Sequence, residues 1–480
     1  MSVKSLVSAV ALCVLSSAAV PNVYAFDILR TESTLPVNLT SDLPGADTSC
    51  EFGPLSAPLK LYDAVQRTLC NNPKTRQAWA NVKVQAATLG VARSAFLPSV
   101  SATWQDVRDD SATNVTGHPD LSSGSKTSVH SDSVSLTWTL FDFGGRRAAV
   151  ENARQLLEAA RATEDAALQA VFANVAKDFY AAQAGKASLT AALDVEQTAQ
   201  DSVNVATKRV RLGVAPISDQ LQAETALAQA VVTRVKAEND LQDAIGSLDV
   251  DMGYRPGIDV SLPDVQEGVL PDSEFSASIG ALLDEAEADH PAIRAAIAQV
   301  EAAQAKTRQV RAEGLPSLGF VAKYSNNNQP ASLGLGIPQF PATGHDWYFG
   351  VQVTIPLFEG FGRSYQVREA EAQTLVQQAD LADARLQVGL DVWTSFHGLE
   401  AATKNVTNSA TLLDIAQRSF VAAQRRYQSG AGSILELLSA QTSLANAQKQ
   451  RIQSLTDWRT TRLELASKLG KLQMWHVAAE

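Results

Sequence analysis

The chain has 480 residues, of which 45% are hydrophobic, and it carries a formal net charge of −11. This acidic balance, with no long run of basic residues, argues against nucleic-acid binding. No segment has the roughly 18 consecutive apolar residues that indicate a transmembrane helix. Together with the secretory signal described next, these properties leave a soluble periplasmic protein, a secreted protein, or an outer-membrane protein built from strands.

Residues 1–25 have the pattern of a secretory signal peptide. Lys4 supplies the positive charge, Leu6 to Leu15 the apolar segment, and Val23-Tyr24-Ala25 the cleavage site. The apolar segment is about half the roughly 20 residues that a spanning helix needs, so a membrane anchor is the less favoured alternative. We expect the mature chain to begin at Phe26, outside the cytoplasm.

Residues 26–57 are rich in proline, serine and aspartate and show no sustained periodicity, which predicts an extended arm. Removal of the signal peptide leaves two cysteines, Cys50 and Cys70. An even pair in an oxidising compartment indicates a disulfide, and two free buried thiols are the alternative. A bridge would tie the arm to the first predicted helix.

The rest of the chain repeats itself. Asn72-Pro73 corresponds to His290-Pro291 at a shift of 218 residues, and from Phe141 and Phe358 onward the shift is 217. Solenoid units are roughly 20 to 50 residues long, so the repeat indicates a duplicated half-structure. The predicted segments are a first half, a linker, a second half and a tail: 58–253, 254–276, 277–471 and 472–480.

Each half is predicted to begin with a helix and two strands. In the first half the helix covers about Leu59 to Phe96 and ends before Pro98, because proline disfavours the helical region for the preceding residue. The sequence then alternates with a period of two up to Trp104, and again from Ser133 to Leu140, which predicts strands. Between the strands, Asp109 to His130 has almost no large apolar residue and predicts a long solvated loop.

The apolar positions of the second strand stay in phase across the duplication. A shift of 217 residues maps the three apolar residues of this strand in the first half onto three apolar residues in the second half. Alternating apolar and polar residues are typical of a strand with one face toward lipid. We therefore predict that these six side chains face lipid: Val134, Leu136, Trp138, Val351, Val353 and Ile355.

A very long helix pair is predicted after each pair of strands. Between Gly145 and Leu212 there is no proline and only one internal glycine, Gly185. At about 1.5 Å per residue this helix is on the order of 100 Å long, far beyond the usual dozen residues. A break at 213–216 precedes a second helix, and the second half repeats the arrangement with a break at 430–432.

Aromatic residues, glycines and an arginine mark both strand-to-helix junctions. Aromatic rings suit a bilayer interface, glycine permits a sharp turn, and arginine fits just outside the apolar band. An ordinary turn between strand and helix is the alternative. The predicted interface residues are Phe141, Gly145, Arg146, Phe358, Gly362 and Arg363.

The sequence contains no motif that predicts catalysis. HExxH, CxxC and GxSxG are absent, and the six histidines lack metal-ligand spacing. The carboxylates on the long helices are interpreted as solvated. We expect no enzyme activity, no cofactor and no metal site.

Several of these features together resemble the TolC-type outer-membrane channel family. They are the duplication, the Asn-Pro in the first helix, the Ala-Arg-Ser-x-x-Leu-Pro-Ser segment from Ala92 to Ser99, and the Phe-Asp-Phe-Gly-Gly-Arg junction. The resemblance covers about residues 57–471. Residues 70–80, with Cys-Asn-Asn-Pro followed by Thr-Arg-Gln-Ala-Trp-Ala, further resemble the CyaE-like branch, which serves type I secretion.

The resemblance implies an α+β membrane protein that forms a homotrimer. Three chains of four strands would give a 12-stranded outer-membrane β-barrel, continued by a long periplasmic α-helical barrel. The implied location is the outer membrane of a Gram-negative bacterium, extending into the periplasm. The implied partners are outer-membrane lipid, a periplasmic adaptor, and an inner-membrane ABC exporter or proton-driven pump. Four strands with open edges need partner chains on physical grounds as well.

The family's gate lies at the periplasmic tip, where each long helix turns back. Matched residue by residue, Asp219 and Tyr427 occupy positions that hold the closed state through hydrogen bonds and salt bridges between helices. Glu436 matches one acidic position of a constriction that attracts cations. The alternative for Asp219 is a role in capping the second long helix, and for Glu436 a solvated position in a first turn.

The chain departs from the family pattern at two tip positions. Ser439 stands where a second acidic residue is expected, and Gly432 stands where a gate arginine is expected. These departures predict a thinner acidic ring and a differently latched closed state.

The predicted function is that of an outer-membrane channel in a tripartite export system, with type I secretion of a protein toxin favoured. Efflux of small molecules or metals through the same conduit is the first alternative. A periplasmic coiled-coil adaptor is the second, although adaptors lack two in-phase amphipathic strand pairs.

Overall fold

The computed structural model describes residues 27–32, 50, 52, 58–258, 260–264, 278–328 and 342–471. The predicted signal peptide 1–25, the predicted tail 472–480 and most of the predicted arm 26–57 lie outside the described residues. So do residues 265–276 of the predicted linker.

The described chain is made of eight helices and four strands that form two equivalent halves. The first half comprises α1 Leu61–Asn71, α2 Pro73–Ser94, β1 Ser99–Thr113, β2 Ser123–Phe141, α3 Gly145–Arg211 and α4 Ile217–Asp251. The second comprises α5 Ile279–Asp289, α6 Pro291–Ala312, β3 Ser317–Asn327, β4 Gly344–Thr354, α7 Gly362–Gln428 and α8 Ile434–Lys468. Helices α3 and α7 both have 67 residues, and α4 and α8 both have 35, so the predicted duplication is confirmed in the element order.

The prediction of one continuous first helix is wrong, because the helix is divided into α1 and α2 at Asn72. Asn72 has extended backbone angles (φ −65°, ψ 129°), and its side-chain oxygen accepts a hydrogen bond from the backbone nitrogen of Lys74 at 2.9 Å. Pro73 forces this break, since its ring disfavours a helical residue before it, whereas it fits the first position of a new helix. His290 caps α6 in the same way through Nδ1, 3.2 Å from the nitrogen of Ala292.

The predicted solvated loop from Asp109 to His130 is also wrong over most of its length. Strands β1 and β2 continue through it, paired from Ser99 opposite Thr137 to Thr113 opposite Ser123. The loop that remains is 114–122, with a short 3-10 turn at Pro119–Leu121. Backbone pairing does not need apolar side chains, so a ribbon with water on both faces loses the alternation that reveals a strand.

The four strands form one antiparallel sheet in the order β1-β2-β3-β4. The outer strands, β1 and β4, therefore each leave one edge unpaired among the described residues. The register of β2 against β3 shifts between Thr139 and Phe141, where a bulge ends the sheet next to the start of α3.

The helices lie side by side beyond the sheet. Next to the strands the main contacts give the order α2–α3–α6–α7. Farther away, α3 contacts α4 on one side and α8 on the other, and α8 contacts α7. No described helix is long and apolar enough to cross a membrane.

Buried clusters lie where the short helices meet the long ones. One joins α1, α3, the end of α4 and the adjoining linker, around Val65, Val175 and Leu248. Its counterpart joins α5, α6, α7 and the end of α8, around Ile293, Val392 and Leu465. Many other buried positions are alanines, which let the long helices approach closely.

The sulfur atoms of Cys50 and Cys70 are bonded in the structure, with their Cα atoms 5.8 Å apart. Cys70 lies in α1 and is buried, so the bond attaches a point of the predicted arm to the first helix. Formation of this disulfide in the mature protein stays a prediction.

Candidate functional site

One face of the sheet is apolar across all four strands. The register places Val134 between Ala102 and Tyr324, and Leu136 between Val100 and Ala322. On the other side of β3, Phe320 lies opposite Val351, and Leu318 opposite Val353. Directly opposed residues share a face, so the rows join into one surface. Of the six predicted lipid-facing residues, five belong to this surface: Val134, Leu136, Trp138, Val351 and Val353. Ile355 lies just beyond the end of β4 and is exposed.

The opposite face of β1 and β2 is polar and hydrogen-bonded. The hydroxyl oxygens of Ser99 and Thr137 are 2.6 Å apart, and those of Ser101 and Ser135 are 2.8 Å apart. The β1–β2 part of the sheet is therefore amphipathic, with a hydroxyl-lined face and an apolar face, as the alternation predicts.

The apolar surface ends where charged residues begin. On the same face of the outer half of the β1–β2 hairpin, His130 Nδ1 lies 3.2 Å from an Asp106 carboxylate oxygen, and Lys126 Nζ lies 2.9 Å from Asp110. The apolar band is thus bounded on this side by exposed polar and charged side chains, which suit water rather than hydrocarbon.

At the other end of the band, Arg146 joins three elements. Its backbone nitrogen and its Nε both donate to Asp142 Oδ2, at 2.7 and 3.2 Å. Its Nη1 donates to the carbonyls of Thr139, in β2, and Ala95, just after α2, at 2.5 and 3.3 Å. The guanidinium also lies 4.7 Å from the Phe96 ring centroid. Arg146 therefore fixes the angle between strand and long helix.

At the second junction the arginine makes two salt bridges. Arg363 Nε is 3.1 Å from Glu359, and its Nη1 is 3.0 Å from Glu313, just after α6. Phe361 precedes α7 with a φ of +63°, and Phe143 has a φ of +51° at the equivalent turn. Such angles are rare for an aromatic residue, so neighbouring contacts must hold them.

The junction aromatics form exposed pairs. The ring centroids of Phe141 and Phe143 are 4.8 Å apart, and those of Phe358 and Phe361 are 5.4 Å apart. All four rings are exposed in the single chain. This arrangement supports the interface reading of the junctions, which stays a prediction.

The two junction glycines differ in their surroundings. A Cβ on Gly145 would come within 3.3 Å of Asp142 Oδ2, the oxygen that accepts from Arg146, whereas a Cβ on Gly362 would meet nothing within 4 Å. Only the first of the two glycines is therefore constrained by space.

The far ends of the long helices form two matching turns. Gly213 and Gly430 follow α3 and α7 with φ values of +72° and +80°. The nitrogen of Val214 donates to the carbonyl of Arg209 at 3.0 Å, and that of Ala431 donates to Arg426 at 2.9 Å. These are Schellman-type ends, in which a left-handed glycine stops the helix.

Tyr427 is enclosed at this tip with only 1% of its surface exposed. Its hydroxyl has no hydrogen-bond partner among the described residues. Burial raises the pKa of this hydroxyl, the negative charge of Asp219 raises it further, and Arg209 opposes both. Asp219 thus lies close enough for its charge to act on the Tyr427 hydroxyl, but no hydrogen bond joins the two residues in the described chain, and their role in holding a closed state stays a prediction.

The contact to Tyr427 comes from Arg209 instead. The guanidinium of Arg209 donates through Nη1 to the Tyr427 carbonyl and lies 4.6 Å from the centroid of its ring. The sequence interpretation missed Arg209. The duplication could have identified it, because a shift of 217 residues maps Arg209 onto Arg426 in the second half.

Glu436 lies in the first turn of α8, and its carboxylate is 3.4 Å from Nε of Arg426. Its backbone nitrogen donates to the side chain of Ser433, which caps the helix, at 3.2 Å. Arg426, which the sequence interpretation also missed, thus pairs with Glu436, the residue that was expected to contribute to an acidic ring.

Helix α4 is not capped by the residues considered for that role. Its cap position is Pro216, which offers no side-chain acceptor, and Asp219 lies in its first turn. The capping alternative for Asp219 is therefore wrong, although a carboxylate in a first turn still interacts favourably with the helix dipole.

The family model described as "Outer membrane efflux protein" matches residues 64–253 and 282–471. Protein CyaE of Bordetella pertussis is 29% identical over 415 residues, covering 86% of this chain and 84% of the relative. Outer membrane protein TolC of Escherichia coli is 22% identical over 448 residues, covering 91% and 86%. Toluene efflux pump outer membrane protein TtgC of Pseudomonas putida is 25% identical over 415 residues, covering 85% and 82%.

Solved channels have the same fold. The outer membrane protein VceC of Vibrio cholerae superposes with a TM-score of 0.72 at 20% identity, covering 85% of this chain and 96% of that one. The CmeC outer membrane channel of Campylobacter jejuni gives a TM-score of 0.73 at 15% identity, covering 89% and 92%.

Proposed function

The chain belongs to the outer membrane efflux protein family, and we propose that it acts as the homotrimeric outer-membrane channel of a type I protein secretion system. Members of this family are outer-membrane channels that extend into the periplasm, and they are not enzymes. The predictions of family, location and general function are therefore confirmed, and the adaptor alternative is excluded.

The open edges of the sheet support the trimer. Strands β1 and β4 each expose unpaired backbone groups, which cannot remain unsatisfied in a bilayer. Pairing β1 of one copy with β4 of the next satisfies them. Three copies then supply the even set of twelve strands, within the range of known outer-membrane barrels.

The outermost helices, α2 and α7, also expose apolar residues at the two sides of the chain. Helix α7, at one side, exposes Leu386, Leu390 and Trp393 along one stripe. Helix α2, at the opposite side, exposes Val84 and Val91. A neighbouring copy would cover both sets of residues and would continue the barrel of strands as a barrel of helices.

Protein secretion is supported by the similarity to CyaE over most of both chains, together with the match of residues 70–80 to its branch. The toluene efflux relative TtgC is similar as well, at 25% identity. The proposed partners are a periplasmic adaptor and an inner-membrane ABC exporter. Efflux of small molecules with a proton-driven pump is the second candidate.

The proposal of a channel is based on the amphipathic sheet joined to long helices. Deletion of the gene tests which substrate the channel exports. Loss should remove one large protein from the culture medium and leave susceptibility to small toxic compounds unchanged. Restoring the wild-type gene should restore secretion. Unchanged secretion with increased susceptibility would support the efflux candidate instead.

A further inference from the structure

We propose that a groove between α3, α4 and α8 binds the cargo polypeptide as an extended, acidic chain. The inference rests on the proposed function in protein secretion and specifies the form in which the cargo is held. The groove has a volume of about 520 Å³. Residues between Gly185 and Val195 of α3 form its floor, and α4 and α8 form its two walls.

Small side chains make the groove open enough for a backbone. Ala192 in α3, Ala230 in α4 and Ala445 in α8 all line it. A bound chain could therefore approach each of the three helices closely. Small residues are also a common packing feature of long helices, so the polar groups of the groove decide what it binds.

Two glutamines of α8 have unpartnered oxygens in the groove. Gln441 is only 7% exposed, and its Nε2 donates to the carbonyl of Val195 at 3.5 Å. Its Oε1 has no hydrogen-bond partner among the described residues, and the buried Oε1 of Gln448 has none there either. Leaving a buried acceptor without a donor is unfavourable, so both oxygens favour a ligand that brings N–H groups.

The spacing of the two oxygens suits the backbone of an unfolded chain. Gln441 and Gln448 are two helical turns apart, about 10.5 Å along α8 at about 1.5 Å per residue. In polyproline II, a major conformer of unfolded chains, every third N–H points the same way and lies about 9.3 Å farther on. Glutamine side chains are flexible enough to accommodate the difference. A helix is a poor ligand here, because its N–H groups are bonded to its own carbonyls.

Lysines on the two walls add a preference for acidic residues. Lys236 of α4 and Lys449 of α8 both line the groove and are exposed. Asp240 has the only carboxylate among the described residues of the lining, so the groove is net positive although the whole chain carries −11. Acidic side chains of a bound chain would meet a cation on either wall.

The described part of the linker leaves the groove free. Gln183 and Lys186 of α3 donate to the carbonyls of residues 262–264 at distances of 2.7–3.3 Å. A helix has 3.6 residues per turn, so these two side chains lie on the opposite side of α3 from Ser188 and Ala192, which line the groove. The linker and the groove therefore lie on opposite faces of the helix layer.

The test is the binding of a synthetic peptide to the purified, assembled protein, measured by fluorescence anisotropy. The probe is a labelled peptide of about twelve residues that repeats glycine, aspartate and valine, a composition that disfavours a helix. The wild-type protein should bind it. The same peptide with methylated backbone nitrogens has no N–H donors and should bind roughly tenfold more weakly.

Two variants test the glutamine oxygens. Gln441→Met and Gln448→Met each remove one acceptor at nearly constant volume and should weaken binding by roughly fivefold, the effect of one hydrogen bond. Gln450→Met is the matched control and should bind like wild type, because Gln450 is exposed and lies outside the groove. Should a glutamine variant fail to assemble, the methylated peptide on the wild-type protein decides alone.

A double variant tests the charges. Lys236→Gln with Lys449→Gln should weaken binding at low salt and have little effect at high salt, because exposed charges are screened. Lys208→Gln removes an exposed lysine of α3 outside the groove and should bind like wild type. An equal loss from Lys208→Gln would mean that only the general charge of the protein attracts the peptide.

Three further results would overturn the assignment: no binding by the wild type, equal binding of the methylated peptide, or equal loss in Gln450→Met. Tighter binding of a helical peptide of the same charge would also overturn it and assign the groove to a partner helix. Peptide binding is measured whether or not the protein secretes, so its failure leaves the proposed function in place. Unchanged secretion after deletion of the gene contradicts that function and the cargo role of the groove with it.

Discussion

At the scale of single residues, the contacts of Tyr427 in the structure differ from the role that the family resemblance implies for this position. The family pattern assigns it a hydrogen bond in the closed state, yet its hydroxyl is buried and unpartnered among the described residues. A buried polar group without a partner costs about 1–3 kcal/mol.

Tyr427→Phe should therefore stabilise the protein by about 1 kcal/mol, because it removes that cost and keeps the ring and the carbonyl. Thermal unfolding in detergent measures the gain, and bilayer recordings should show no higher conductance. A destabilised or leaky Tyr427→Phe channel would indicate that the hydroxyl has a partner in the assembled protein.

Asp178, in α3, is a second residue whose surroundings determine its behaviour. Burial raises its pKa to about 6, helped by the charge and hydrogen bond of Asp251 at the end of α4. The folded state therefore binds a proton that the unfolded state releases between pH 3.8 and about 6, so this pair loses stability as pH rises through that window.

Asp178→Asn should raise the unfolding temperature at pH 7, above the raised pKa of Asp178, because it removes a carboxylate whose charged form is destabilised by burial and by Asp251. The gain should shrink as the pH falls below 6 and vanish near pH 4. Asp243→Asn is the control, since Asp243 accepts a hydrogen bond from Asn239 at 3.0 Å and belongs to the same cleft. An increase in unfolding temperature of the same size at pH 4 and pH 7 would contradict the raised pKa of Asp178 as its cause.

The disulfide gives a third residue-scale prediction. Thiol labelling of the mature protein under denaturing, non-reducing conditions should detect no free cysteine, and prior reduction should expose Cys50 and Cys70. Labelling of both without reduction would show that the bond does not form in the cell.

At the scale of elements, the strand register makes the two faces of the sheet chemically distinct. Leu136 lies between Val100 and Ala322 on the apolar face, whereas Thr137 bonds to Ser99 on the polar face. Adjacent positions in one strand should therefore respond differently to the same substitution.

Leu136→Arg should impair assembly, because an arginine on a lipid-facing strand costs about 2–4 kcal/mol near the bilayer midplane. Thr137→Arg places the same side chain toward the polar face and should be much milder. The yield of assembled protein in outer membranes measures the difference. Equal loss from both variants would contradict the assigned faces.

Sequence periodicity predicts the apolar parts of these elements and misses the parts without apolar residues. The alternation from Val134 to Trp138 gives the correct strand and the shared apolar face, since successive side chains of a strand point to opposite faces. Toward the hairpin loop the same strand includes Ser128 and Lys126, where no alternation of apolar residues indicates that the strand is paired. The break at Asn72 was missed because one proline interrupts a helical composition that continues on both sides.

The tip illustrates a different limit of prediction. Positions matched to a family reveal which residues are present, but not which neighbours they contact. Arg209 and Arg426 are visible in the sequence as basic residues of a last turn. Only the folded chain shows that one contacts Tyr427 and the other pairs with Glu436.

At the scale of the whole molecule, the single chain is incomplete. In the part of the chain that the structure describes, the sheet has two open edges and the helices expose apolar residues at both sides. Three copies arranged around one axis would close the sheet and cover the exposed helix faces in one step. The channel account depends on this closure, because an open four-stranded sheet encloses no pore.

The mass of the protein purified from outer membranes in mild detergent tests this most directly. Light scattering with the detergent contribution subtracted should give three times the mass of one mature chain, and the species should persist on dilution. A monomer or a dimer would contradict the account, since neither can close twelve strands around a channel.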